Sequence, residues 1–268
     1  MTRRAVRRWC RDGAPRMNRL ALVVVAVLGT VLLTLPFVGL AFATPWLELH
    51  YAAGDLQALW TSIVYTLVAL AIDIALGTPL AWWLARYRFR GKWLVTVAIL
   101  LPLLSPPLAM GLLLAISFGP YGWAGAPLQA VGVFLTNTPA AFVMAQVYAS
   151  AAYYVIAARA AFEAVPRELE QVGLSLGRSP WQVFRRVTVP LSALGLSAGA
   201  ALAWVRALGE FGVVLIVAYF PQGIPVKLWT NLENIGLSAI YPLLWTFFVI
   251  ALPLPLVLGA LSRRQPVY

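Results

Sequence analysis

Six apolar runs, roughly residues 20–44, 60–85, 93–117, 139–161, 191–219 and 240–261, take up more than half of this 268-residue chain. Each reaches the ~20 residues needed to cross a hydrocarbon core about 30 Å thick. Within lipid no water is present to satisfy backbone N–H and C=O groups, so runs of this length close their hydrogen bonds internally, as helices. The expected fold is all-α and membrane-integral, with six transmembrane helices in one domain over residues 20–262. Pro102, Pro106 and Pro107 fall in the third run and are expected to break it near its middle. Composition points the same way, with 62% hydrophobic and only 11% charged residues, a balance outside the range of ordinary soluble domains.

A net charge of +11 is compatible with nucleic-acid binding, but the distribution of the charge argues against it. Eighteen of the 20 basic residues lie in four groups: the tail 1–19, the loop from Arg86 to Lys92, the segment 159–190, and Arg263 with Arg264 in the tail 263–268. Six crossings put all four groups on one face of the membrane, and the positive-inside rule makes that face cytoplasmic. Both termini are therefore expected in the cytoplasm of a bacterial or archaeal cell, and the basic tail orients the first helix and touches anionic lipid. Nucleic acid is not an expected partner. The first run, at about 25 residues, is longer than the apolar core of a cleavable signal, so it reads as an uncleaved anchor.

The chain is poor in catalytic groups. Cys10 and His50 are the single cysteine and histidine, which leaves no disulfide and no histidine–cysteine metal site. No phosphate-binding Gly-x4-Gly-Lys-Ser/Thr loop or dinucleotide fingerprint occurs, and the glycines of 119–125 read as a turn. No cofactor, no metal and no ATPase site of its own are expected.

One polar segment, EAVPRELEQVGLSLGRSPWQVFRRVTVP (163–190), is too charged to cross a bilayer. Pro166 suits a helix's first turn, and Leu169, Val172, Leu174 and Leu176 follow at helix-compatible spacing between Glu168, Glu170 and Gln171. Gly177 suits a helix end, and Ser179 can cap a second helix with Pro180 at its first position. Two short helices meeting at a bend are expected to form a docking element in water.

The segment resembles the cytoplasmic loop of permease subunits in ATP-binding-cassette importers. That family's pattern is Glu-Ala-Ala, three residues, Gly, nine residues, then Ile-x-Leu-Pro. Here Gly falls on Gly177 and the final Pro on Pro190 at both spacings, with Val187 and Val189 standing for Ile and Leu. Gln171, Val172 and Gly173 replace Glu-Ala-Ala, so a salt bridge from position 171 is lost unless Glu170 supplies it. Further stretches, TPLAWWLARYRFRGK (78–92), LPLLSPPLAMGLLL (101–114) and WVRALGEFGVVLIVAYFP (204–221), are similar to sulfate and molybdate permeases, the last most of all to the molybdate/tungstate branch. The resemblance implies half of a pore, completed by a second permease, the same chain or a homologue. It also implies a separate ATPase dimer that binds the ATP and an extracytoplasmic substrate-binding protein. The substrate it implies is molybdate or tungstate, moved by alternating access, with sulfate or another small solute as the alternative. Gly177, Ser179, Pro180 and Trp181 are the residues it places against the ATPase.

Three charges fall well inside the apolar runs. Arg206 and Glu210 stand four apart, so they can pair. A charge at the bilayer centre costs about 2.5–3.5 kcal/mol on insertion scales, so both should face the bundle interior or a wet cavity. They belong either to the translocation path or its gate, beside Phe211, or to a structural pair between helices. Asp73, near the middle of the second run, either lines the path or bonds to a neighbouring helix. Intramembrane carboxylates also leave open an ion-coupled secondary transporter, a reading that gives the 163–190 spacing no role. Gly195, Gly199 and Ala203 form a small-residue stripe suited to close helix packing. Outside the membrane, Lys227 with Glu233 and Glu48 with Asp55 are charged spots a binding protein could meet.

Overall fold

A computed structural model describes residues 19–262. The basic tail up to residue 18, with Cys10, and the C-terminal tail, with Arg263 and Arg264, lie outside the described residues. All regular structure among the described residues is helical, as the apolar runs dictate.

Residues up to Leu49 form one unit and those from His50 a second. The first unit holds one helix, α1 (Arg19–Ala43). No apolar side chain of its Ala21–Ala43 stretch is buried. Its hydroxyls are satisfied within the helix, Thr30 donating to the Ala26 carbonyl at 2.8 Å and Thr34 to that of Thr30 at 2.9 Å, so the whole surface is compatible with lipid.

The second unit begins with α2 (Asp55–Arg86), a helix of 32 residues. At a rise of about 1.5 Å per residue it extends about 48 Å, more than the hydrocarbon thickness. Helices α3 (Lys92–Leu104) and α4 (Pro107–Phe118) share the third apolar run. They meet at 112°, because Pro106 and Pro107 remove two backbone donors and push the preceding Ser105 to extended geometry. The break expected from the prolines is thus a sharp bend. After α5 (Gly125–Ala130), α6 (Pro139–Ala164) starts with the Thr138 hydroxyl accepting the Ala141 N–H and Pro139 in its first turn, the arrangement that satisfies an otherwise orphaned donor.

The polar segment follows as α7 (Arg167–Ser175) and α8 (Pro180–Val183). A π-helical stretch, Phe184–Thr188, runs on into α9 (Val189–Leu208). Two expectations change here. The second docking helix is not a free short helix, because the fifth membrane helix begins at Pro180 and continues to Leu208. Nor does that span reach residue 219. It stops at Gly209, and α10 (Gly212–Val217) is a separate short helix. Hydropathy merges them because the linker between them, Gly209 to Phe211, is too short to register. The chain continues with α11 (Ile224–Asn234), a 3₁₀ turn, α12 (Tyr241–Ala251) and α13 (Pro253–Ser262).

Five helical stretches among the described residues, Ala21–Ala43, Asp55–Arg86, Pro139–Ala164, Pro180–Leu208 and Leu237–Val257, are long and apolar enough to cross a membrane, and the bent α3–α4 pair qualifies when taken together. Helix α6 is the hub. One apolar core joins its C-terminal half to α2, α9 and α12 through Leu70, Tyr154, Phe162, Trp204, Leu208 and Ala251. A second joins its N-terminal half to α4, α10 and α11 through Met110, Phe142, Val213, Val217 and Val226. The small-residue stripe of α9 is spent inside the chain: a Cβ at Gly199 would lie 3.0 Å from that of Ala157 on α6.

Candidate functional site

The polar segment owes its bend to two local signals. Helix α7 ends with the Arg178 N–H bonded to the Gly173 carbonyl at 3.2 Å and the Gly177 N–H to that of Leu174 at 3.0 Å. This is the Schellman pattern, which needs a left-handed residue just past the helix. Gly177 supplies it, with φ of 77°, a conformation that costs glycine nothing. Ser179 and Gln182 then form a reciprocal capping box that opens α8 with Pro180 in its first turn, so two orphan donors are satisfied at once. Each assignment made from Gly177, Ser179 and Pro180 therefore has its geometric counterpart. Pro190 lies just past the π stretch. As a helix-interior proline it lacks a donor and would clash with the carbonyl four residues back. The Val189 N–H bonds instead to the Phe184 carbonyl, five residues back, the wider turn that accommodates such a residue.

Glu170 is the centre of the segment. Its Oε1 accepts Arg86 Nε at 3.1 Å, Arg86 Nη2 at 2.8 Å and the Thr188 hydroxyl at 2.6 Å. One carboxylate oxygen thus ties α7 to the end of α2 and to the π stretch ahead of α9. Arg86 and Glu170 side chains are 9% and 17% exposed, enough burial for the pair to matter more than a surface ion pair. Gln171 and Gly173 occupy nearby positions: Gln171 lines a cleft of about 360 Å³ with Arg86, Glu170 and Thr188, and Gly173 packs on Val183. Arg86, counted in the sequence only as an orienting charge, and Thr188, a variable position of the family pattern, are the members that sequence reasoning missed. Nothing in the local pattern of Arg86 or Thr188 signals a partner as remote along the chain as Glu170. Trp181 is exposed and stacks on Phe184 at 5.5 Å, and Leu169, Val172, Leu174 and Leu176 also stay exposed.

Arg206, Glu210 and Asp73, the charges well inside the apolar runs, are each engaged. Arg206, in the last turn of α9, pairs with Glu210. The pair does not lie along one helical face, because α9 stops before Glu210 and the carboxylate reaches forward to the next helix. Its other oxygen accepts the Val213 N–H at 2.8 Å, capping α10. Arg206 is 27% exposed at the side chain and Glu210 1%. Phe211 adjoins Trp229 at 5.9 Å between ring centres.

Asp73 sits between α2 and α6, its carboxylate 2.5 Å from the Ser150 hydroxyl. Gln146, one turn before Ser150, donates to the Thr66 hydroxyl at 2.8 Å and to the Ala207 carbonyl at 3.1 Å. A buried polar strip thus joins α2, α6 and the end of α9 beside Arg206. Of the two readings of Asp73, bonding to a neighbouring helix is the one this geometry contains. The charged spots expected to meet a binding protein also rearrange. Asp55 is fully buried, accepts the Ala52 N–H and Asn231 Nδ2 at 2.8 and 2.9 Å, and faces Lys227 at 4.0 Å. Lys227 and Asp55 therefore latch α11 to the start of α2 and are not free for a docking protein. Among the described residues no cluster of His, Cys, Asp and Glu could hold a metal.

The profile of one protein family, the binding-protein-dependent transport system inner membrane component, matches residues 77–265. The chain belongs to that family. It is 37% identical over 209 residues to a probable molybdenum ABC transporter permease protein of Haloferax volcanii, covering 78% of this chain and 76% of that one. It is 30% identical over 188 residues to the molybdate/tungstate transport system permease protein of Pyrococcus abyssi, covering 70% and 71%. In fold it is similar to a chain of the bacterial alginate ABC transporter in complex with its alginate-loaded periplasmic protein. The TM-score there is 0.73 over 92% of this chain and 96% of that one, at 17% identity. Membership makes this permease a multi-pass component of the inner membrane, and it sets aside the ion-coupled secondary transporter considered from the sequence.

Proposed function

We propose that this permease is one half of the membrane pore of an importer for molybdate or tungstate, driven by a separate ATPase dimer. A second permease, a copy or a homologue, completes the pathway, and an extracytoplasmic binding protein delivers the anion. The polar segment faces the cytoplasm, as do both termini. Its exposed apolar residues, with Gly177, Ser179, Pro180 and Trp181 at the bend, seat in the ATPase.

The observation that carries this reading is the junction at Glu170. A displacement of α7 by the ATPase reaches α2 through Arg86 and α9 through Thr188, so the segment moves two membrane helices together. That supports alternating access, in which ATP-driven closure of the ATPase re-orients the pore. Arg206 is neutralised by Glu210, which favours a pair that stabilises the gate near Phe211 over a tight anion site. The names of the two relatives support molybdate or tungstate, with sulfate as the alternative.

The test is ATP hydrolysis in liposomes holding the permease with its co-purifying ATPase, with and without a binding protein loaded with molybdate or tungstate. Stimulation by the loaded protein alone is the expected result. Stimulation only by a sulfate-loaded protein leaves the importer and removes the substrate. Absence of any co-purifying ATPase removes the importer.

A further inference from the structure

Three cavities of the second unit adjoin one another, neighbouring ones sharing lining residues. The first, about 540 Å³, is apolar and lies between Ile74, Ala75, Thr78 and Trp82 on α2 and Pro180 and Trp181 of α8. The second shares Trp82 and Pro180 with it and Arg86 and Arg167 with the third. The third, about 450 Å³, is polar and lined by Arg86, Arg88, Lys92 and Arg167 against Glu163 and Glu168.

The charges of that polar end do not cancel. Arg86 is taken by Glu170, and Glu163 by Arg159 at 2.8 Å. Arg88, Lys92 and Arg167 then face Glu168 alone. Arg167 is held by the Arg86 carbonyl, 3.0 Å from its Nη2, and among the described residues Arg88 and Lys92 have no ion-pair partner. Around this end Trp83 stacks on Phe89 at 4.2 Å and Trp93 is exposed. Such aromatics mark the level of lipid headgroups.

An apolar groove along a membrane helix that adjoins an excess of cations suits an amphiphile with an anionic head. We propose that these adjoining cavities form a phospholipid site, with an acyl chain along Ala75 and Trp82 and the headgroup phosphate on Arg88, Lys92 and Arg167. Basic pockets between membrane helices hold anionic headgroups for the same reason. The groove floor includes Pro180 and Trp181, so a bound lipid rests against the bend that the proposed function assigns to the ATPase. The lipid site itself requires only the membrane reading and not the substrate.

The test is native mass spectrometry of the purified full-length chain with dioleoylphosphatidylglycerol or dioleoylphosphatidylcholine added. Selective retention of phosphatidylglycerol is expected. The exposed-charge variant R88Q/K92Q should lose that selectivity by about 25-fold, since each of the two interfacial cations contributes about a factor of five. A75W, which fills the groove, should lower retention of both lipids. Equal retention of phosphatidylglycerol by wild type and R88Q/K92Q overturns the headgroup assignment. Displacement by inorganic phosphate with A75W without effect makes it a free-anion site and overturns the lipid. Indifference to lipid charge, with A75W weakening self-association instead, gives the groove to a second copy of the chain.

Discussion

Arg86 and Glu170 meet at 2.8 Å through an oxygen that also accepts the Thr188 hydroxyl, so three helical elements converge on one atom. Removing Glu170 leaves a guanidinium that is 9% exposed with only the Val165 carbonyl, 3.1 Å from its Nη2. Loss of a hydrogen bond to a charged group costs about 1.5–3 kcal/mol. E170A should therefore lower the unfolding temperature and reduce transport per ATP hydrolysed. Restoring the family's acid as Q171E in that background should not rescue, because the neighbouring position is rotated by about 100° around the helix. Thermal unfolding in detergent, with uptake measured against hydrolysis, decides it. Rescue by Q171E would show that the charge matters and the geometry at Glu170 does not.

Gly177 has open space around a hypothetical Cβ but a φ of 77°, so the barrier to substitution there is conformational and not steric. A non-glycine residue in that region costs about 1–2 kcal/mol, least for Asn. G177N should transport nearly normally, while G177V should insert into the membrane yet uncouple hydrolysis from uptake. Membrane fractionation paired with the coupled assay separates insertion from coupling. Normal uptake by G177V would count against the bend as the transmission element.

These two sites also mark what could be read from the residues. The helix stop at Gly177 and the start at Ser179 are local, each written within one helical turn, and the structure contains both. The apolar runs likewise foretell helices because lipid leaves the backbone no alternative. The partner of Glu170 is not local. It depends on how α2, α6 and α9 pack, and Arg86 has the same composition signal as Arg88, which pairs with no described residue. The short break after Leu208 escaped for another reason: Glu210 caps a short helix of apolar residues, which hydropathy averages into the preceding span. Asp55 read as an outer charge because its burial comes from α11, whose Asn231 lies far along the chain.

Arg206 and Glu210 differ in what their loss removes. R206A takes away one partner of a carboxylate that is 1% exposed, whereas E210A also deletes the cap on the Val213 N–H, a loss of about 0.5–2 kcal/mol. E210A should therefore be the more damaging single variant, for both thermal stability and uptake. The R206A/E210A double variant should be little worse than E210A alone, because the same interaction is lost only once. Additive losses in uptake would sink the pairing as the functional unit and point to separate roles along the path.

Gly199 tests whether the α6–α9 contact is a fixed joint of the pore half. Its hypothetical Cβ lies 3.0 Å from that of Ala157 and 3.3 Å from the Tyr154 carbonyl oxygen, so the two backbones are already near their closest approach. G199A requires only a small shift, and G199L forces the helices apart, with overpacking costs of about 1–3 kcal/mol. Because Gln146 on α6 reaches the Ala207 carbonyl of α9 at 3.1 Å, splaying the pair should also break the buried polar strip that runs to Asp73. G199L should then lose more stability than overpacking alone predicts, and Q146A should add little to it. Unfolding temperatures of the two single variants and the double variant measure the coupling, and independent losses would place the strip and the helix contact in separate units.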